Sequence, residues 1–218
     1  MAKIKNQDVI QHVFDTNSII PVVIIDKESS VRKLTEVFLS NGIQTMEITL
    51  RTPTALKAIE IVAKEYPEIQ IGAGTILCIN DIKNCLNAGA KYLVSPTGQS
   101  HIVDYATNHC SPLLPAASTV TEAHNLVAKG FKLQKFFPAI LAGGVSMLKT
   151  IGSVLPEVHF CPTGGIKLSN MNEFLALSNV DSVGASFLCS QYDIKDENWE
   201  KINNNCKKAT ATVQENTK

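Results

Sequence analysis

The sequence has no run approaching the roughly 18 apolar residues of a membrane span, and its opening stretch MAKIKNQDVIQHVF lacks the apolar core of a secretory signal. A soluble, cytoplasmic protein with no membrane partner is the expectation. Neither sign of charge is in excess: 20 Lys and Arg balance 20 Asp and Glu. That leaves no basic groove for a polyanion and argues against a nucleic-acid partner. No CxxC pair occurs among the six cysteines (Cys78, Cys85, Cys110, Cys161, Cys189 and Cys206), which lie far apart. The five histidines (His12, His101, His109, His124 and His159) form no HExxH or HxH. A disulfide framework and a zinc site both lack support, so no metal or other cofactor is expected and the cysteines read as spectator thiols. Linkers and low-complexity stretches are also missing inside the chain. What remains is 218 residues that are 44% hydrophobic and 18% charged, enough apolar surface for one sizeable core and too much for a disordered chain.

Eight short β-rich or apolar runs recur: IIPVVII at 19–25, TMEITL at 45–50, IQIGAGT at 69–75, KYLVSP at 91–96, PLLPA at 112–116, KLQKFFP at 132–138, HFCPTGG at 159–165 and DSVGASF at 181–187. Between them lie segments with helical spacing, such as Val31, Leu34, Val37 and Phe38, or Ala55, Ile59, Val62 and Ala63. Several stop at a glycine suited to a helix end, at Gly42, Gly89 and Gly130. Strands alternating with helices imply parallel strands joined by crossovers. Eight units in 218 residues average about 27 residues each, compact but adequate for a (β/α)8 TIM barrel in the α/β class. The competing doubly wound sheet usually carries a Gly-rich turn after its first strand, and Val22 to Lys27 contains no glycine. The expectation is a single domain over 1–218. It comprises an N-terminal helix around Asn6 to Phe14 within 1–18, a barrel over 19–202, and a polar tail over 203–218 that frays.

Barrel enzymes place their chemistry at the C-terminal strand ends. In the second run Met46, Ile48 and Leu50 share one face, and Thr45, Glu47, Thr49 and Arg51 the other. A carboxylate and a guanidinium therefore point into the mouth, where charge is costly unless paired or used on a ligand. Two readings stay open, a structural Glu47 to Arg51 ion pair or an acid/base beside a carboxylate clamp. The sixth run sets Lys135 with Leu133 and Phe137, opposite Gln134 and Phe136. A lysine among bulky apolar groups is favoured as the free amine, a nucleophile for a carbonyl, whereas a plain structural lysine would extend to the rim. Gly164, Gly165 and Ser186 lie in the last two strand-end loops, where barrels commonly cradle phosphate with backbone N–H groups. Thr75 ends IGAGT, whose glycines fit either a turn or a close approach to a ligand.

Taken together, the blocks MEITLRT, IGAGTIL, VSP, PLLPAASTVTEA, KFFPA and FCPTGGI, in order and covering most of Ile19 to Phe187, closely resemble the class I 2-keto-3-deoxy-6-phosphogluconate (KDPG) / 4-hydroxy-2-oxoglutarate (KHG) aldolase family. The resemblance implies that Lys135 forms the Schiff base and Glu47 shuttles protons. Arg51 and Thr75 would hold the pyruvate carboxylate, Gly164, Gly165 and Ser186 the phosphate, and Pro96 and Thr163 would line the pocket. It also implies a homotrimer acting, without metal, on a small phosphorylated 2-keto acid. The galactonate epimer is an alternative substrate, and a phosphosugar isomerase or epimerase barrel the alternative activity. Three positions depart from the family pattern: Ile140 after KFFPA, where many members carry Glu; Ala116 in PLLPAAST; and Thr97 to Ser100 after SP.

Overall fold

The computed structural model describes residues 5–216. The N-terminal helix is there, as α1 (Lys5–Thr16), followed by β1 (Ile19–Val23), α2 (Ser29–Ser40), β2 (Thr45–Thr49), α3 (Ala55–Glu65), β3 (Gln70–Gly74), α4 (Ile79–Asn87), β4 (Tyr92–Val94) and α5 (Ser100–Asn108). Next come β5 (Leu113–Leu114), β6 (Ala116–Ala117), α6 (Val120–Ala128), β7 (Leu133–Phe136), α7 (Gly144–Val154), β8 (His159–Pro162), α8 (Met171–Leu175), β9 (Val183–Ala185), α9 (Gln191–Lys195) and α10 (Trp199–Asn216). Among the described residues no helix is long and apolar enough to cross a membrane.

The expected helical stripes are buried at Val31, Leu34, Val37 and Phe38 on α2 and at Ala55, Ile59 and Val62 on α3, while Ala63 is half-buried. Gly42, Gly89 and Gly130 take positive φ of 73°, 95° and 92°, which ends the preceding helices in the left-handed conformation that costs other residues most. The α6 helix starts on a reciprocal cap. Thr119 Oγ1 accepts from Glu122 N at 3.2 Å, and Glu122 Oε2 accepts from Thr119 N at 3.0 Å.

Every expected run contains a strand, and all ladders are parallel. They form two arcs, β5-β4-β3-β2-β1-β9 and β6-β7-β8, so the ladder expected to close continuously is open at two seams. The first seam is chemical. Pro115 has no N–H to donate, and it splits the fifth run into β5, which pairs with β4, and β6, which pairs with β7. Gln7 of α1 spans this break, donating from Nε2 to Leu113 O at 3.4 Å and accepting from Leu133 N at 2.8 Å. At the second seam only the isolated bridges Phe160↔Val180 and Thr163↔Gly184 appear.

Outside the strands, one large core joins them to the helices. Inside, α1 lays Ile10, Val13 and Phe14 against Ile20, Tyr92, Val94, Leu114, Leu133 and Cys161. Each such side chain contributes about 1.5–3 kcal/mol when fully buried, so α1 is a plug that dries the lower lumen. The segment expected to fray is helical as far as the described residues go. Ile202, Cys206 and Ala209 are buried at spacings of four and three, and Asn203 Oδ1 accepts from Asn41 Nδ2 at 2.8 Å. Its contact stripe consists of small or isolated apolar residues among Asn, Lys and Thr, which concealed the helical period.

Candidate active site

The alternation read from TMEITL holds. Met46 and Ile48 enter the outer core, and Thr45, Glu47 and Thr49 face the lumen, all nearly inaccessible. Glu47 is 3% exposed, Lys135 on β7 5%, and Nζ lies 3.3 Å from Glu47 Oε1 and 3.4 Å from Oε2. Glu47 thus meets Lys135 and not Arg51. Arg51 is exposed just beyond β2, and no ion pair to it occurs among the described residues. Lys135 Nζ also stands 5.5 Å from the Phe137 ring centroid, so the amine is roofed by an aromatic and does not run out to the rim.

The other expected residues all sit just past strand ends on the same side. Thr75 follows β3, half-buried, with φ of +66°, unusual for a β-branched residue. Pro96 follows β4 and lines a cleft of about 340 Å³ together with Thr97, Ala116, Ala117 and Phe137. Thr163 is buried after β8, where its N donates to Phe136 O at 2.9 Å and its O accepts from Ala139 N at 2.8 Å. Gly164 and Gly165 follow with φ of +100° and +81°. Ser186 is exposed after β9. The direct contact is between Glu47 and Lys135; Arg51, Thr75, Pro96, Thr163, Gly164, Gly165 and Ser186 share the mouth by their strand-end positions.

Three lumen glycines have a use that neither reading of IGAGT anticipated. A Cβ on Gly72 would fall within the Tyr92 ring, one on Gly74 would overlap Glu47 Oε1, and one on Gly184 would overlap Thr163 Oγ1. Each bare Cα is the slot for a neighbouring strand's side chain. Cys161 completes this layer in register with Lys135, and burial pushes its thiol up to about 12 against the lowering pull of the nearby Lys135. Tyr92 and Cys161 were detectable from period-two alternation in KYLVSP and HFCPTGG, which turns both inward. No group of three or more His, Cys, Asp or Glu is placed to hold a metal among the described residues.

A buried amine touching a carboxyl at a barrel mouth suits carbonyl chemistry with proton transfer, and comparison with known proteins decides which kind. The family model described as KDPG and KHG aldolase matches residues 10–205. The chain belongs to that family. It is an aldolase, a carbon–carbon lyase of the KDPG and KHG type. It is 34% identical to the 2-dehydro-3-deoxy-phosphogluconate aldolase of Pseudoalteromonas atlantica, over 96% of this chain and 95% of that one. Among solved structures, the KDPG aldolase of Legionella pneumophila, with pyruvate captured as a covalent carbinolamine, superimposes with a TM-score of 0.87. It is 38% identical, covering 89% of this chain and 95% of the other. The Zymomonas mobilis 2-keto-3-deoxy-6-phosphogluconate aldolase with 3-phosphoglycerate gives a TM-score of 0.87 at 31% identity, covering 94% and 96%. The aldolase fold is therefore matched over nearly the whole chain.

Proposed function

We propose that this aldolase cleaves 2-keto-3-deoxy-6-phosphogluconate to pyruvate and glyceraldehyde 3-phosphate through a Schiff base on Lys135, and 4-hydroxy-2-oxoglutarate to pyruvate and glyoxylate by the same steps. The observation that carries it is the buried contact of Lys135 Nζ with Glu47 at 3.3 Å. Nζ as free amine adds to the C2 carbonyl, and the carbinolamine loses water to give a protonated imine. Glu47 takes the proton from the C4 hydroxyl as the C3–C4 bond breaks. The bonding pair moves into the imine, giving an enamine, and the aldehyde departs. Glu47 returns a proton to C3, directly or through water, and hydrolysis then releases pyruvate and restores the amine. Atoms and charge balance without an external oxidant or metal.

Arg51 and Thr75 hold the substrate carboxylate, for which a guanidinium fork suits both oxygens. The N–H groups of Gly164 and Gly165 with the Ser186 hydroxyl hold the phosphate, and Pro96 and Thr163 line the pocket. The pyruvate carbinolamine of the Legionella enzyme and the 3-phosphoglycerate of the Zymomonas enzyme support these two halves of the site. On the family resemblance, the working form is a cytoplasmic homotrimer. The test is pyruvate release from both substrates by the parent and by Lys135→Arg. The parent is expected to release it from both and the variant from neither; release by the variant at the parental rate would remove Lys135 from the chemistry.

A further inference from the structure

Tyr92 is the largest fully buried side chain and has no part in the steps above. It is 1% exposed, in the lumen, on a strand two places from Glu47: Glu47, Gly72 and Tyr92 are register partners across β2, β3 and β4. Because Gly72 has no side chain, the Tyr92 ring lies across β3 towards β2, where its hydroxyl meets Thr45 Oγ1 at 2.9 Å. The proton direction in that contact follows from the next one. Thr45 Oγ1 donates to the Gln70 carbonyl at 2.8 Å, which uses its one hydrogen, so Tyr92 donates to Thr45. Burial holds the phenol far above its usual range, and the nearby Glu47 charge adds to this, so Tyr92 keeps its proton. It is a fixed wedge and not a proton carrier.

Two residues further along β3, Gly74 offers the second slot, filled by the Glu47 carboxylate. Glu47 is therefore bounded on β3 by a bare Cα. Thr45, which precedes it by two on the same face of β2, is pinned by the Tyr92 hydroxyl.

We infer that Tyr92 and Gly74 are positioning residues for proton transfer. The ring lying over Gly72 and the empty Cα beside the carboxylate together hold Glu47 where it reaches Lys135 and the carbons attached to it. This rests on the proton-carrier role proposed for Glu47. A methyl at Gly74 would displace the Glu47 side chain from Cγ outward, and the three nearest atoms it meets include no backbone. It moves the carboxylate by an ångström or more, a displacement that costs about a hundredfold in well-aligned chemistry.

The experiment measures exchange of the pyruvate methyl hydrogens with D2O by NMR, which reports proton transfer to and from the enamine. Borohydride trapping of pyruvate, kcat and KM are measured alongside, in Glu47→Gln, Gly74→Ala, Tyr92→Phe, Tyr92→Leu and the doubles of each with Glu47→Gln. Gly74→Ala is expected to lose exchange and kcat by about a hundredfold and Tyr92→Leu by about tenfold or more, with trapping retained and KM changed far less. Tyr92→Phe, which keeps the ring and loses only the bond to Thr45, is expected to fall between the parent and Tyr92→Leu. Neither substitution should add to the loss in the Glu47→Gln background, since each acts through that carboxylate. A residue that merely supported the fold would lower trapping and exchange together and would add fully in the doubles, and either result overturns the inference. If Glu47→Gln itself exchanges like the parent, the proposed role of Glu47 has failed. If Glu47→Gln is impaired while folded Gly74→Ala and Tyr92→Leu exchange normally, the positioning has failed and the role stands. Should one of the two variants not fold, the other decides by the same criteria, and Tyr92→Phe, being nearly isosteric, contradicts the inference if it loses exchange as severely as Glu47→Gln.

Discussion

Lys135 on β7 and Glu47 on β2 belong to different arcs of the sheet and meet across the lumen, Nζ to Oε1 at 3.3 Å, with both side chains almost fully enclosed. Each charge by itself would lose several kcal/mol of hydration on burial, and the pair restores this only in part. Such a pair is a weak source of stability and a strong source of chemistry.

Removing one partner should therefore cost more than removing both. Lys135→Met and Glu47→Leu are each expected to lower Tm by about 5 °C or more, and the double variant to melt at or above the parent while remaining inactive. Thermal melting followed by circular dichroism checks this. A double variant less stable than either single one would show that the pair is a structural tie.

The turn after β8, where the phosphate is proposed to bind, is packed against the loop after β7. Ile140 N donates to Gly164 O at 3.1 Å, and a Cβ on Gly165 would lie 2.6 Å from Ile140 Cγ1. Ile140 is 44% exposed beside this turn. Ser186→Ala should raise KM for the phosphorylated substrate severalfold and leave 4-hydroxy-2-oxoglutarate cleavage within about twofold; equal losses with the two substrates would count against a phosphate site here.

The thiols divide into two sets. Cys78 and Cys110 are exposed; Cys85, Cys161, Cys189 and Cys206 are buried, and burial pushes the Cys85, Cys161 and Cys206 thiols up to about 12. At pH 7.5 so little thiolate remains on these that iodoacetamide should label Cys78 and Cys110 alone in the native protein, with activity retained. Peptide mapping shows which residues are labelled. Rapid labelling of Cys161 with loss of activity would mean that the floor of the site opens to solvent.

The N-terminal cap of α6 should give a pH signature. Burial pushes the Glu122 carboxyl up, but the bonds from the backbone and hydroxyl groups of Ser118 and Thr119 outweigh it and hold Glu122 below its usual range. A lowered folded value means the added stability is fully present above the unfolded value of about 4.3 and is lost as pH falls through the folded value. Glu122→Gln should lower Tm by about 2–4 °C at pH 7, in line with about 1 kcal/mol for a cap. That difference should shrink towards zero in acid; if it is constant from pH 7 down to pH 3, charge on Glu122 contributes nothing.

Much of this was legible in the sequence because two periodicities carry it. Alternation on β2 and β7 put Glu47 and Lys135 inward, and the stripes on α2 and α3 named their buried faces. Less legible was anything that depends on which strands adjoin. The Glu47 partner could not be read from β2 alone, since Arg51 is nearer in sequence than Lys135, 88 residues away. The Gly72 and Gly74 slots follow from neighbours on β4 and β2, and no local turn rule reports them. The break at Pro115 was visible as a residue but not as a change of pairing partner. Helix α10 was missed because Ile202, Cys206 and Ala209 carry little hydrophobic signal among the polar residues around them, although burial made them sufficient.

Schiff-base formation on Lys135 is tested most directly by reduction with borohydride in the presence of pyruvate, followed by proteolysis and mass spectrometry of the peptide containing KFFPA. One stable adduct per chain is expected, equal in mass to reduced pyruvate and localised to Lys135, and none when pyruvate or borohydride is omitted. An adduct on another lysine, or full activity with no adduct on any, would contradict it.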